Sequence, residues 1–127
     1  METPDWRNCK ILVVEDEQAN IDVLKILLKK TGINIEIARD GLEAVEKCTD
    51  EKYHIDLVLM DIKLPIMDGI EATKKIRENN QNLPIIAQTA FALQEEEKEI
   101  MAAGFDDYIT KPILIGNLIY KINKFIG

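Results

Sequence analysis

Glu15, Asp16, Asp61, Thr89 and Lys111 are the side chains in this chain that could do chemistry together. Each stands at the end of a short apolar run. Lys10-Ile11-Leu12-Val13-Val14 leads into Glu15-Asp16-Glu17, and Leu57-Val58-Leu59-Met60 stops on Asp61. Ile85-Ile86-Ala87-Gln88 ends on Thr89, and Asp107-Tyr108-Ile109-Thr110 leads to Lys111-Pro112. Short apolar runs bounded by turn residues suit the buried strands of a parallel sheet. In such sheets the strand ends share one edge, where ligands bind. Three carboxylates gathered there repel one another by about 4 kcal/mol per close pair at a surface-like dielectric. A cation relieves that cost, and an all-oxygen set suits Mg²⁺. Opposite the acids, a Lys ammonium and a Thr hydroxyl suit phosphoryl oxygens. A carboxylate can itself attack phosphorus to give an aspartyl-phosphate. Simpler readings compete: Asp61 could cap the following helix, and the acids at 15–17 could start theirs, where the helix dipole favours them.

The elements that must position these groups follow from periodicity. Leu24, Leu27 and Leu28 recur at helical spacing in a first helix over 19–30, stopped by Gly32. Residues 33–38 alternate Ile33, Ile35 and Ile37 with polar neighbours, as in an edge strand with one wet face. A second helix over 42–48 turns Leu42, Val45 and Cys48 inward, and a third runs from Gly69 to Glu78. The fourth spans Gln94 to Ala103, with an acidic face of Glu95, Glu96, Glu97 and Glu99, and ends at Gly104. Ile115, Leu118, Ile119 and Ile122 mark the core stripe of a fifth, with Leu114 and Tyr120 outside it. Strand and helix alternate five times, which implies α/β architecture with a parallel sheet and helices on both faces.

The 127 residues suit one domain, with a core of about 9–126 and residues 1–8 as a tail or linker in which Trp6 has an open role. A net charge of -7 argues against direct nucleic-acid binding. There is no apolar run long enough for membrane insertion and no secretory pattern. Cys9 and Cys48 make no disulfide framework, so a cytoplasmic setting is expected. His54 is the single histidine, which excludes a His-based triad and a multi-His metal site; it reads as a polar loop residue.

Taken together, Ile11 to Glu17, Leu59-Met60-Asp61 with Pro65, Met67-Asp68-Gly69, Ile85 to Ala90, and Gly104 to Pro112 resemble the receiver domain of two-component response regulators. The wording around Asp61 and Thr89 is similar to receivers attached to hybrid sensor histidine kinases. The resemblance implies a flavodoxin-like (βα)5 three-layer sandwich with strand order 2-1-3-4-5. It implies a phosphoacceptor regulatory domain, whose only catalysis is its own aspartyl phosphorylation and dephosphorylation. Asp61 would take the phosphoryl group from a histidine kinase or a histidine phosphotransfer protein. Asp16, Asp61 and the backbone carbonyl of Lys63 would hold Mg²⁺. Glu15, where the family often has Asp, would act through metal-bound water. Thr89 and Lys111 would contact the phosphoryl oxygens, Thr89 and Tyr108 would form the switch, and Lys111-Pro112 would be cis. Lys63 and Phe91 would flank the water that hydrolyses the phosphate, and their lack of an acid or amide implies a slow loss. The downstream partner is open.

Three other readings share parts of this pattern. A flavodoxin-like cofactor binder would need a phosphate cradle where this chain has Glu15-Asp16-Glu17. A haloacid-dehalogenase-like phosphatase would carry its nucleophile after the first strand. A degenerate receiver that only docks would not need all five rim residues.

Overall fold

A computed structural model describes residues 3–90 and 93–127. Among them, five parallel strands pair in the order β2-β1-β3-β4-β5. They are β1 (Lys10–Val14), β2 (Asn34–Ala38), β3 (Leu57–Asp61), β4 (Ile85–Thr89) and β5 (Asp107–Thr110). The helices are α1 (Gln18–Leu28), α2 (Gly41–Thr49), α3 (Gly69–Asn79), α4 (Gln94–Ala103) and α5 (Ile115–Ile126). Single 3₁₀ turns at Lys29–Thr31 and Glu51–Tyr53 follow α1 and α2.

Strand alternation splits the core in two. Leu12, Val14, Val58, Met60, Ile85 and Ala87 pack against Ala44, Ala72, Ile76, Ile100 and Ala103 of α2, α3 and α4. Their neighbours Ile11, Val13, Leu57, Leu59, Ile86 and Ile109 pack against α1 and α5 through Leu24, Leu28, Leu118, Ile119 and Ile122. The central strands β3 and β4 are buried throughout, which is why they read as apolar runs up to Asp61 and Gln88.

Two inward assignments differ. Leu42 is 44% exposed and Ile115 is 42% exposed. Both stand in the first turn of their helices, and Ile115 borders a surface pocket beside Leu27, Lys30 and Thr31. Trp6 resolves the other way. It is 4% exposed and packs with the α1–α5 core. Its backbone N–H donates to the Thr31 carbonyl at 2.8 Å, and its backbone carbonyl accepts from Cys9 N–H at 3.0 Å. The segment before β1, expected as a tail or linker, is thus joined to the domain by an indole in the same buried cluster as Leu24 and Leu28 of α1 and Leu118 and Ile119 of α5.

Arg77 of α3 ties the far end of the sheet together. Its guanidinium donates to the carbonyls of Gly104 (2.8 Å) and Leu83 (2.7 Å) and to Asp106 Oδ2 (2.9 Å). The same Asp106 oxygen accepts the Ile85 N–H at 2.8 Å. Gly104, with φ of 108°, closes α4 in the left-handed region and so lets the chain turn into β5.

Cys48 packs against the α2–α4 core. Burial pushes its thiol up to about 12, opposed weakly by the Arg77 charge. The thiolate is the reactive form, so native protein at pH 8 should show no alkylation of Cys48 by iodoacetamide, while urea-unfolded protein is modified there. Peptide mass mapping checks this, and rapid native modification would contradict it.

Candidate functional site

The carboxyl ends of β1, β3, β4 and β5 converge on a cleft of about 470 Å³. Asp61 is the last residue of β3 and 7% exposed. It does not cap the next helix. Asp68 does, accepting the Glu71 N–H at 2.8 Å, as Asp40 caps α2 through Glu43 N–H. Gly69 follows because a Cβ there would collide with the Asp61 backbone carbonyl.

Glu15 is fully buried directly after β1. Its Oε2 accepts the N–H groups of Asp16 at 3.0 Å and Glu17 at 3.3 Å. Its Oε1 has no hydrogen-bond partner among the described residues. The nearest cation, Lys111 Nζ, lies 3.6 Å away, too far for a hydrogen bond. Glu17 is the N-cap of α1 but makes no side-chain capping bond. The acids before α1 are therefore not explained by helix starting alone. Carboxylate oxygens of Glu15, Asp16 and Asp61 all lie within 4.8 Å of one another, with Asp16 exposed to the cleft.

Lys111 stands against them. Its ammonium donates to Asp61 Oδ2 at 2.9 Å. The other Asp61 oxygen accepts the Lys63 N–H at 3.2 Å. Burial pushes the Glu15 carboxyl above its ordinary range, and the Asp61 charge pushes the same way. Burial by itself would lower the Lys111 ammonium, but its hydrogen bond to Asp61 and the Asp61 and Glu15 charges leave it raised. Lys111 therefore stays positive, and it only partly offsets three acids.

Thr89 ends β4, is 6% exposed and lines the same cleft. Tyr108 lies one strand over, half-buried against the α2–α4 core. The Lys111-Pro112 peptide is cis. Asp16, Asp61, Lys63, Thr89 and Lys111 line the cleft, Glu15 is buried beside it in the acidic cluster, and Tyr108 stands on the next strand outside the lining. Phe91 lies outside the described residues. His54 is exposed in a turn away from the cleft.

The periodicity did not reveal the cleft's outer wall. Glu96 and Glu99, read as part of a solvated helix face, line the cleft, as do Asp68 and Gln88. The strand pattern alone placed Gln88 next to Thr89; its amide Nε2 is buried without a hydrogen-bond partner among the described residues.

The loop after Asp61 carries strain. Ile66 has φ of 69° and is 79% exposed, inside a tight turn in which Met67 N–H donates to the Pro65 carbonyl at 2.7 Å. A β-branched residue in the left-handed region costs about 1–2 kcal/mol. Glycine there is free of that cost but loses about 0.5–1 kcal/mol of chain entropy. Ile66→Gly should therefore stabilise the fold by about 0.5–1 kcal/mol, read as a higher urea midpoint at unchanged slope. A lower midpoint would show that the turn is not strained.

The response regulator receiver domain family matches residues 11–123. The chain belongs to that family. Hybrid signal transduction histidine kinase G of Dictyostelium discoideum is 42% identical to it over 91% of this chain. The chain spans only 4% of that kinase's length. The receiver domain of a sensor histidine kinase from Pseudomonas aeruginosa, solved with a magnesium ion coordinated in its active-site cleft, is 38% identical. It superposes with a TM-score of 0.84, covering 94% of this chain and 98% of its own. A Saccharomyces cerevisiae complex of a histidine phosphotransfer signalling protein with the receiver domain of its downstream response regulator matches at 30% identity and a TM-score of 0.86. That match covers 98% of this chain and 91% of the other.

The fold is the flavodoxin-like sandwich with strand order 2-1-3-4-5. The chain is a receiver domain of two-component phosphorelay signalling, a regulatory domain rather than a metabolic enzyme. The acidic cluster fits Mg²⁺: its donors are all oxygen, and Glu15 Oε1 is buried without a partner. No helix of the described residues is long and apolar enough to cross a membrane.

Proposed function

We propose that Asp61 is the phosphoacceptor and that its donor is a phosphohistidine on a histidine kinase or a histidine phosphotransfer protein. The observation that carries this reading is the placement of Asp61 within 4.8 Å of two further acids and 2.9 Å from the Lys111 ammonium. Asp16, Asp61 and the Lys63 carbonyl would hold Mg²⁺, with Glu15 acting through a metal-bound water. When bound, the cation neutralises charge on the phosphoryl group and on the acids around it.

The chain's own residues do the rest. Lys111 holds the Asp61 carboxylate in place before transfer. An Asp61 oxygen attacks phosphorus as the phosphorus–nitrogen bond of the donor imidazole breaks, and the imidazole departs with the electron pair. Lys111 and the Thr89 hydroxyl then contact phosphoryl oxygens. Catalysis here is placement and charge stabilisation, with no general base required. Thr89 drawn toward the phosphoryl group leaves room for Tyr108 to turn, a shift of population between two states. The two cysteines, both free, fit a reducing cytoplasm as the setting. Those partners are consistent with the yeast complex of a histidine phosphotransfer protein with a receiver domain, and with the match to a hybrid histidine kinase of Dictyostelium.

The test is incubation with acetyl phosphate and Mg²⁺, then borohydride trapping and peptide mapping. One label on Asp61 is expected. A label on another residue would refute the assignment.

A further inference from the structure

We infer that Lys121 of α5 is a positioning residue for Tyr108: its ammonium, bonded to the Tyr108 carbonyl and lying over the ring, holds the ring in its present arrangement and so sets how readily the switch is thrown. This rests on the reading of Tyr108 as the switch residue.

The geometry is specific. β5 is an edge strand, so half of its backbone groups face no neighbouring strand. In the ladder, Ala87 pairs with Tyr108 and Gln88 with Ile109. The Tyr108 carbonyl points outward, and Lys121 Nζ reaches across the edge to donate to it at 2.6 Å. The same ammonium donates to Asp107 Oδ1 at 2.9 Å and lies 5.2 Å from the centroid of the Tyr108 ring. One cation therefore fixes the residue's backbone and faces its ring. The ammonium side chain is 19% exposed, so water competes weakly.

Asp107 anchors the arrangement. Burial would raise its carboxyl, but the bonds from Lys121, the Tyr108 N–H and Lys124 hold it below the usual carboxylate range. It keeps Lys121 charged and in place. Lys124, at 3.3 Å from Asp107 Oδ2, and the Tyr108 N–H at 2.7 Å still satisfy that carboxylate if Lys121 is lost. Replacing Lys121 therefore does not leave a buried charge alone.

A cation over an aromatic face is attracted to the ring quadrupole. If the ring leaves that face when the domain switches, the attraction favours the resting state alone. A phosphoryl mimic that binds the switched state must then overcome it, and its apparent affinity falls with the fraction of competent molecules.

The experiment uses beryllofluoride with Mg²⁺ and three forms of the domain: wild type, Lys121→Met and Lys121→Arg. Lys121→Met keeps the stem and removes the charge; Lys121→Arg restores a cation. ¹³C-labelled tyrosine reports the Tyr108 ring, assigned with Tyr108→Phe. In wild type the ring signal should move on adding beryllofluoride. Before any addition, Lys121→Met should already shift it part of the way. Lys121→Met should bind beryllofluoride roughly 3-fold more tightly, and Lys121→Arg should stay within about 2-fold of wild type. Affinity for Mg²⁺ alone should be equal in all three.

The failures separate. If the wild-type ring signal does not respond to beryllofluoride, Tyr108 is not the switch and the proposal falls with that reading. If it responds but Lys121→Met binds equally or more weakly, Lys121 is not a brake. If Lys121→Arg behaves like Lys121→Met, charge over the ring is not the cause, and the proposal is overturned.

Discussion

Asp61→Asn should reduce phosphoryl incorporation from acetyl phosphate to background. Asn matches Asp in shape and hydrogen-bonding reach, so the fold is retained. What disappears is the anionic oxygen that would attack phosphorus. A neutral amide does not attack phosphorus at a useful rate. The change also removes one of three charges from the cluster and the ionic partner of Lys111 at 2.9 Å. The loss should be at least about a hundred-fold, since deleting one transition-state donor already acts on that scale. Intact-mass measurement over time gives the rate, and circular dichroism shows that the variant is folded. A folded Asp61→Asn protein that takes up phosphate as wild type does would remove Asp61 from the mechanism.

Trp6→Ala should cost about 3–5 kcal/mol of stability, the usual range for truncating a buried aromatic. The indole is 4% exposed and packs with the core formed by α1, α5 and the sheet. Its removal opens a cavity where the chain enters β1, at the opposite end of that strand from Glu15. Trp6 is the only tryptophan, so unfolding in urea is followed by circular dichroism rather than fluorescence. With a slope of about 1–3 kcal/mol per molar urea, the midpoint should fall by more than about 1 M. At low temperature, where the variant is folded, phosphorylation by acetyl phosphate should persist. A change below about 0.5 kcal/mol would mean that the segment before β1 is dispensable.

Much of this molecule is determined by local sequence. The runs at 11–14, 57–60 and 85–87 read as buried strands because both of their faces are covered, so every position there is apolar and the polar residues begin at the site. That same rule exposed Asp61 and Thr89: a polar residue closing such a run has to be satisfied or used. The residues of the cleft were legible one by one for this reason. Their meeting followed from strand order, which the motif set carried and alternation alone did not.

Other features depended on tertiary structure. A lone Trp among polar residues has no period, so only the packed end of the sheet shows that it is core. Leu42 and Ile115 fit the helical stripe but sit partly open in first turns, and periodicity does not report where coverage ends. Glu96 and Glu99 look like any solvated acids until α4 is laid against the cleft. Lys121 is thirteen residues from Tyr108, and nothing in the spacing links them. Their contact exists because β5 is an edge strand and α5 folds back beside it, leaving a carbonyl and a ring face within reach of one ammonium. Local sequence determines which residues are buried and which are polar. Which of the polar ones touch is settled when the sheet closes and the helices choose a face.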